Sequence, residues 1–324
     1  MDKKASDCRV FRESLAQIFE GAKRKTNRMS SKVEVLLNRR SGSANAIASR
    51  IVADFRNVGL ECELRPIERH VDLPKLARDA ASRADTVVVS AGGDGTVNAV
   101  AAGVAGTGFS MGVLPAGTLN HFARDLGIPL DLDRAIRVIA ERHESAVDTG
   151  EVNGHLFVNN SSVGIYPAMV SERELLEKSG LSKWLSLVLA SARAFVRFHC
   201  IVVQLTVNGE SITRRTPILF VGNNEYRMEG KQIGTRERLD GGTLFVYVAP
   251  DLTRAGMFRI ALAALYGKVK DVSNYEQFSV TELTVDLHRR VCRVSLDGEV
   301  RQIRGPLRYR IRPGSLKVFT PGPA

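Results

Sequence analysis

From Ser31 onward, apolar and polar positions follow two alternating periods. Val33-Glu34-Val35-Leu36-Leu37 reads as a strand, and Asn45 to Asn57 as a helix with Ile47, Ile51, Val52 and Phe55 on one face. The same alternation continues through Leu60 to Leu64 (strand), Leu73 to Arg83 (helix), Thr86 to Ser90 (strand) and Val97 to Val104 (helix). Ser110 to Leu114 and Leu132 to Glu141 add one more strand and helix. Strand and helix in turn predict a layered α/β domain on a parallel sheet. A ligand of such a sheet sits outside the carboxyl ends of its strands, where the turns after Leu37, Ser90 and Leu114 fall.

After about Val147 the pattern shortens to alternating runs: Leu156 to Val158, Val202 to Val207, Ile218 to Val221, Thr243 to Val248, Leu283 to Leu287 and Val291 to Leu296. These predict a second, mostly antiparallel β domain, so the fold class is α/β with two domains and a site in the cleft between them. Between its strands, Leu181 to Cys200 has helical spacing with Ser182, Ser186, Arg193 and Arg197 on one face. It reads either as a core-packed helix with a solvated arginine face or, with Lys183 and Trp184, as a contact to an anionic membrane. Residues 1–31 form a basic extension whose Val10, Phe11, Leu15, Ile18 and Phe19 recur at helical spacing; a docking helix and a solubilising tail both fit.

The length of 324 residues suits two domains, each large enough for its own core. A net charge of +11 favours an anionic partner: nucleotide, nucleic acid or acidic membrane. With 6% aromatics, no basic segment interleaved with aromatic residues and no zinc-finger spacing, nucleic acid is excluded as the expected partner. Cys8, Cys62, Cys200 and Cys292 form no C-x-x-C pair, which argues against a thiolate metal site and fits a reducing, cytoplasmic compartment. The polar start and the lack of a long apolar run predict neither a signal peptide nor a membrane span.

Chemistry concentrates in the three turns. Gly92-Gly93-Asp94-Gly95-Thr96 joins a strand to a helix, so bare backbone N–H groups and a helix N-terminus face one point beside a carboxylate, a suitable site for phosphate. Asn38 to Ser43, with Arg39 and Arg40, and Pro115-Ala116-Gly117-Thr118-Leu119-Asn120 occupy the equivalent places after the neighbouring strands. Three such turns at three strand ends make one phosphate-rich cleft. No G-x-x-x-x-G-K-[ST] loop and no protein-kinase motif set occurs, and the dinucleotide fingerprint fails because Asn98 stands at its third glycine. Asp297-Gly298 between alternating apolar residues is by itself a hairpin signal.

Over nearly all of residues 32–322 the chain resembles the soluble diacylglycerol kinases, a family related to sphingosine and ceramide kinases. The resemblance rests on Asn38-x-x-Ser41-Gly42, Gly92 to Thr96, Pro115-x-Gly117-Thr118-x-Asn120 followed by Phe122-Ala123-Arg124-Asp125, and Asp297-Gly298-Glu299. It implies a kinase that uses ATP and Mg²⁺ to phosphorylate diacylglycerol or a similar lipid, in peripheral contact with an anionic membrane. It further implies nucleotide ligands at Asn38, Ser41, Gly42, Gly92, Gly93, Asp94, Gly95, Thr96, Asn98, Gly117, Thr118 and Asn120. Glu299 is the first choice for general base, with Asp297 and Asp94 the other catalytic candidates. The ATP-binding domain is expected at 32–147 plus about 307–324, and the lipid-substrate domain at 148–306. Two departures each remove a family acid, His121 after Asn120 and Gly241 after Asp240, which leaves Asp240 as the candidate ligand of a structural metal. A kinase of a soluble substrate and a non-catalytic nucleotide-binding membrane adaptor are the rival readings. Oligomeric state stays open, a homodimer included.

Overall fold

The computed structural model describes residues 32–38, 44–68, 70–170, 200–226, 235–251 and 275–322. The N-terminal extension, the helix predicted over Leu181 to Cys200 except for Cys200 itself, and the turn residues Ser41 and Gly42 lie outside them.

β1 (Lys32–Leu37), β2 (Glu61–Pro66), β3 (Thr86–Gly92) and β4 (Ser110–Pro115) form a parallel sheet in the order β2-β1-β3-β4. Helices α1 (Ala44–Asn57), α2 (Leu73–Ala81), α3 (Asp94–Val104), α4 (His121–Asp125) and α5 (Leu132–Glu141) connect and cover these strands. Because helices cover the sheet, β1 and β3 are buried almost throughout. A charge in that interior needs partners, and Glu34 has two: Arg65 at 3.1 Å and Arg83 at 2.6 Å. The helix starts are capped as their sequences suggest. Asp72 accepts the Lys75 N–H, and Asp131 the Arg134 N–H, both at 3.1 Å.

The second half is a sandwich. One layer, β7 (Asn160–Gly164), β10 (Ile218–Asn223), β11 (Leu244–Val248), β12 (Glu276–Val280), β14 (Val291–Leu296) and β15 (Glu299–Arg304), runs in the order β12-β11-β10-β7-β14-β15. The other continues the first sheet. β16 (Leu307–Phe319) pairs parallel to β4 through Lys317 and Val318, and antiparallel to β13 (Glu282–Asp286) through Leu307 to Arg310. β8 (Ile201–Val207) and β9 (Glu210–Thr216) extend it, while β5 (Glu144–Val152) lies along β16 and β6 (His155–Phe157) along β5. Leu205, Val285, Leu307 and Tyr309 from this layer meet Val163, Leu219, Val246 and Leu296 from the other in one core. β16 is therefore a single strand shared by the parallel and antiparallel parts of one sheet.

Candidate active site

The turns after β1, β3 and β4 share one edge of the sheet. The Asn38 N–H donates to the Ala91 carbonyl at 3.0 Å, and the Ala116 N–H to the Gly92 carbonyl at 3.1 Å. Asn38 Nδ2 also reaches Thr96 Oγ1 at 3.0 Å, joining the first turn to the second. The second and third turns touch through their backbones: a Cβ on Gly117 would collide with the Gly93 Cα. Asn120, held in the left-handed region at φ 53°, closes the third turn on itself. Its Oδ1 accepts the Gly117 N–H and its Nδ2 donates to the Gly117 carbonyl, each at 3.0 Å.

α3 starts at Asp94, three residues before the predicted start at Val97. Gly93 is extended and caps the helix by accepting the Thr96 and Val97 N–H groups at 2.9 and 3.0 Å. The Asp-Gly-Thr of the motif is thus the first helical turn, whose leading N–H groups have no helical acceptor and face the ligand edge. Asp94 Oδ1 accepts the Phe122 N–H at 3.2 Å, tying α3 to the start of α4.

The opposite wall is the β14–β15 hairpin. Asp297 (φ 47°) and Gly298 (φ 84°) form its two-residue turn, with both residues at positive φ as a type I′ turn requires. The turn separates the two acids. Asp297 points inward, where its carboxylate accepts the N–H groups of Val158, Asn159 and Asn160 at 2.8, 2.8 and 2.9 Å. Burial pushes its pKa up to about 6, opposed by those three donors and the Arg236 charge. Glu299 is exposed, and its Oε1 lies where a Cβ on Gly95 would approach to 2.5 Å, at the N-terminus of α3. Arg301, two residues on and so on the same face of β15, stands 3.7 Å from its other oxygen.

Between platform and hairpin opens a cavity of about 440 Å³. Its polar end carries Asp94, His121, Asn160 and Asp297, and its walls are mostly apolar, with Tyr166, Ile218, Phe220, Tyr226, Tyr247 and Ala249 prominent. Burial raises the Tyr226 pKa to about 12, so this phenol stays neutral. Such a space suits a ligand with an apolar body and one polar end.

The two halves match two family models, the diacylglycerol kinase catalytic domain over residues 32–152 and the YegS C-terminal NAD kinase β-sandwich-like domain over 166–320. A relative from Pseudomonas savastanoi pv. phaseolicola, named "Probable lipid kinase YegS-like", is 30% identical over 280 residues, 83% of this chain and 87% of its own length. One of the same name from Pseudomonas aeruginosa PAO1 is 29% identical over 291 residues, covering 89% and 93%. A crystal structure named for a diacylglycerol kinase of Bacillus anthracis str. Sterne shares the fold at a TM-score of 0.64 and 19% identity, covering 90% of this chain and 97% of that one. Another from the same organism reaches 0.72 at 22%, covering 90% and 95%. The chain belongs to the YegS-like lipid kinase family.

Two of the candidate residues, Asn98 and Asp240, make contacts within the protein. Asn98 is 3% exposed and, with its amide nitrogen facing inward, donates to Asp297 Oδ2 at 3.2 Å and to the Leu156 carbonyl at 3.3 Å. It braces the hairpin acid from within the helix. Asp240, the candidate metal ligand, instead pairs with Arg238 at 3.0 Å, which lowers its pKa. Among the described residues no group of three His, Cys, Asp or Glu could hold a metal ion. Instead, Asp148 organises the Asp240-Gly241-Gly242 turn by accepting the Gly242 N–H at 2.7 Å, and it also accepts the Gly314 N–H at 2.8 Å. His121, where the family carries an acid, is the first residue of α4 and lines the cavity.

The lipid-kinase site also contains a pair that sequence reasoning missed. Arg236, with no exposed side-chain surface, holds Asp125 of α4 at 2.8 Å. It also donates to the Val158 carbonyl and Asn159 Oδ1, both at 2.7 Å, and to the Asn223 carbonyl at 3.1 Å. This one guanidinium fastens the Asp125 end of α4 to the two residues before β7 and to the last residue of β10. Asp125 ends the Phe122-Ala123-Arg124-Asp125 run, but its distant partner leaves no periodicity or spacing in the chain.

Proposed function

We propose that this lipid kinase transfers the γ-phosphoryl group of ATP to a hydroxyl of diacylglycerol or a similar lipid. The observation that carries this reading is the apolar cavity opening beside Asp94, between the glycine platform and the hairpin that bears Glu299. ATP lies along the turns after β1, β3 and β4, its phosphates against the backbone N–H groups of Gly93 and Gly95, with Thr96, Gly117, Thr118 and Asn120 shaping the turns. On this division residues 32–147 with about 307–324 bind the nucleotide and 148–306 present the lipid.

The lipid enters the cavity with its hydroxyl at the polar end. Glu299 takes the hydroxyl proton, the oxygen forms its bond to the γ-phosphorus, the bond to the β-phosphate oxygen breaks, and ADP departs. The positive end of α3 stabilises the charge that builds on the transferring group. Asp297 positions this base by fixing the turn before it, and Asn98 holds Asp297 in place. The donor set fits a Mg²⁺ held by a carboxylate and the nucleotide phosphates rather than an all-protein cage. Asp94 would hold it, and the bound ion would supply charge neutralisation at the phosphates. With its substrate in a bilayer, the enzyme works as a peripheral protein; among the described residues no helix is long and apolar enough to cross a membrane.

Incubation with γ-labelled ATP against a lipid extract and, separately, against NAD tests the reading. Label is expected in the organic phase of the lipid reaction. Label confined to a phosphorylated soluble product contradicts it and favours the soluble-substrate alternative. Nucleotide binding with no transfer to either acceptor favours the adaptor.

A further inference from the structure

β16 carries arginine at alternate positions: Arg308, Arg310 and Arg312 interleave with Leu307, Tyr309 and Ile311. The latter three are buried in the sandwich core, so the two-residue period of a strand puts the arginines on the outer face. Arg304, Arg308 and Arg310 line a groove of about 670 Å³ together with Asn153, Glu151 and Glu282. Arg304 is five residues along β15 from Glu299, roughly 17 Å at strand spacing, so this groove is separate from the catalytic cleft.

Two features make it more than a solvated charged face. The backbone that carries the cations is fixed by Asn153, whose Nδ2 donates to the Arg304 and Pro306 carbonyls at 2.8 and 3.0 Å. Its Oδ1 accepts the Arg308 N–H at 2.6 Å, and its own N–H donates to the Arg308 carbonyl at 3.1 Å. The charges, moreover, are not all balanced internally. Glu151 holds Arg310 at 2.7 Å and Arg312 at 3.4 Å, whereas among the described residues Arg304 and Arg308 have no carboxylate within ion-pair distance.

We propose that this groove binds the phosphate headgroup of an anionic membrane lipid. Guanidinium groups match phosphate oxygens in pairs, and a backbone already fixed reduces the ordering needed on binding. The groove is lined largely by polar and charged side chains and offers little for acyl chains, which stay in the bilayer. The net charge of +11 adds attraction to such a surface. The proposal rests on this groove's charge and shape and stands whether or not the substrate is a lipid.

Vesicle flotation of the full chain, without nucleotide, tests it on phosphatidylcholine vesicles with and without phosphatidylglycerol. R304E/R308E is compared with wild type and with R215E/R238E, a pair of exposed arginines outside the groove that carries the same change in net charge. Wild type is expected on the anionic vesicles. R304E/R308E should lose at least about thirtyfold in partition, from roughly fivefold per basic residue at an anionic surface, while R215E/R238E loses much less. Equal loss in both pairs, or no loss in R304E/R308E, overturns the proposal. So does titration with inorganic phosphate that perturbs Arg304 and Arg308 in a protein that ignores anionic vesicles. Unchanged melting temperature and unchanged turnover of a dispersed short-chain acceptor keep the result apart from folding and from catalysis.

Discussion

The glycine-turn platform and the apolar cavity lie side by side and are built from opposite materials. The platform is main chain: Gly93 against Gly117, a helix beginning at Asp94, and an asparagine ring closing the third turn. The cavity is side chain, with Ile218 and Phe220 brought from β10, Tyr247 from β11 and Tyr226 from the segment after β10. A site made of backbone depends on a few glycines at fixed places, whereas one made of side chains depends on a whole sheet's packing. Three residues join the two: Glu299 reaches from the hairpin to α3, Asn98 from α3 to Asp297, and Arg236 from the segment before β11 to α4.

The joining residues are where the contrast breaks most severely. Glu299→Gln keeps the shape and removes the base, so turnover should fall by about 10³-fold while nucleotide affinity measured by calorimetry is unchanged. Arg236→Ala leaves Asp125 buried and unpaired, a loss of about 3–5 kcal/mol by denaturant unfolding; breaking an exposed pair such as Arg238 and Asp240 should cost far less. Within the platform, Gly117→Ala forces two backbones apart and should weaken nucleotide binding. Gly95→Ala meets only the movable end of Glu299 and should reduce kcat while sparing nucleotide affinity. In the cavity, Ala249→Phe fills acceptor space and should raise the lipid KM about tenfold with the ATP KM unmoved.

The smallest effect concerns pH. Asp297 titrates near 6 when folded, against 3.8 for the ordinary carboxyl, so the folded protein takes this proton first as pH falls. Its contribution to stability is therefore most favourable below about pH 3.8, declines as pH rises to 6, and is level above. A carbon-13 titration should place its midpoint near 6, and the stability of wild type relative to Asp297→Asn should fall across that window. An ordinary midpoint near 4 contradicts the assignment.

The contrast in materials also explains what the chain discloses. Most strand positions were legible because burial on one or both faces leaves a period, and the three turns because glycine after a strand has few other uses. The start of α3 at Asp94 was hidden, since Gly95 and Thr96 are poor helix formers and their helical state comes from Gly93 capping and from packing at the sheet edge. Asp297-Gly298 read as a hairpin and as part of a kinase motif, and both readings describe the same turn. The inward turn of Asn98 and the pairing of Asp125 with Arg236 were not legible. Each is a contact between residues far apart in the chain, and neither partner has a local reason to be where it is. The cavity's walls failed to register for the same cause.

The most direct measurement is single-turnover transfer from γ-labelled ATP to diacylglycerol in mixed micelles, comparing wild type with Glu299→Gln after both are shown to bind ATP equally. The account predicts labelled phospholipid from wild type and about 10³-fold slower transfer from the variant. Equal transfer by the two proteins, or no lipid label from wild type with ATP bound, would contradict it.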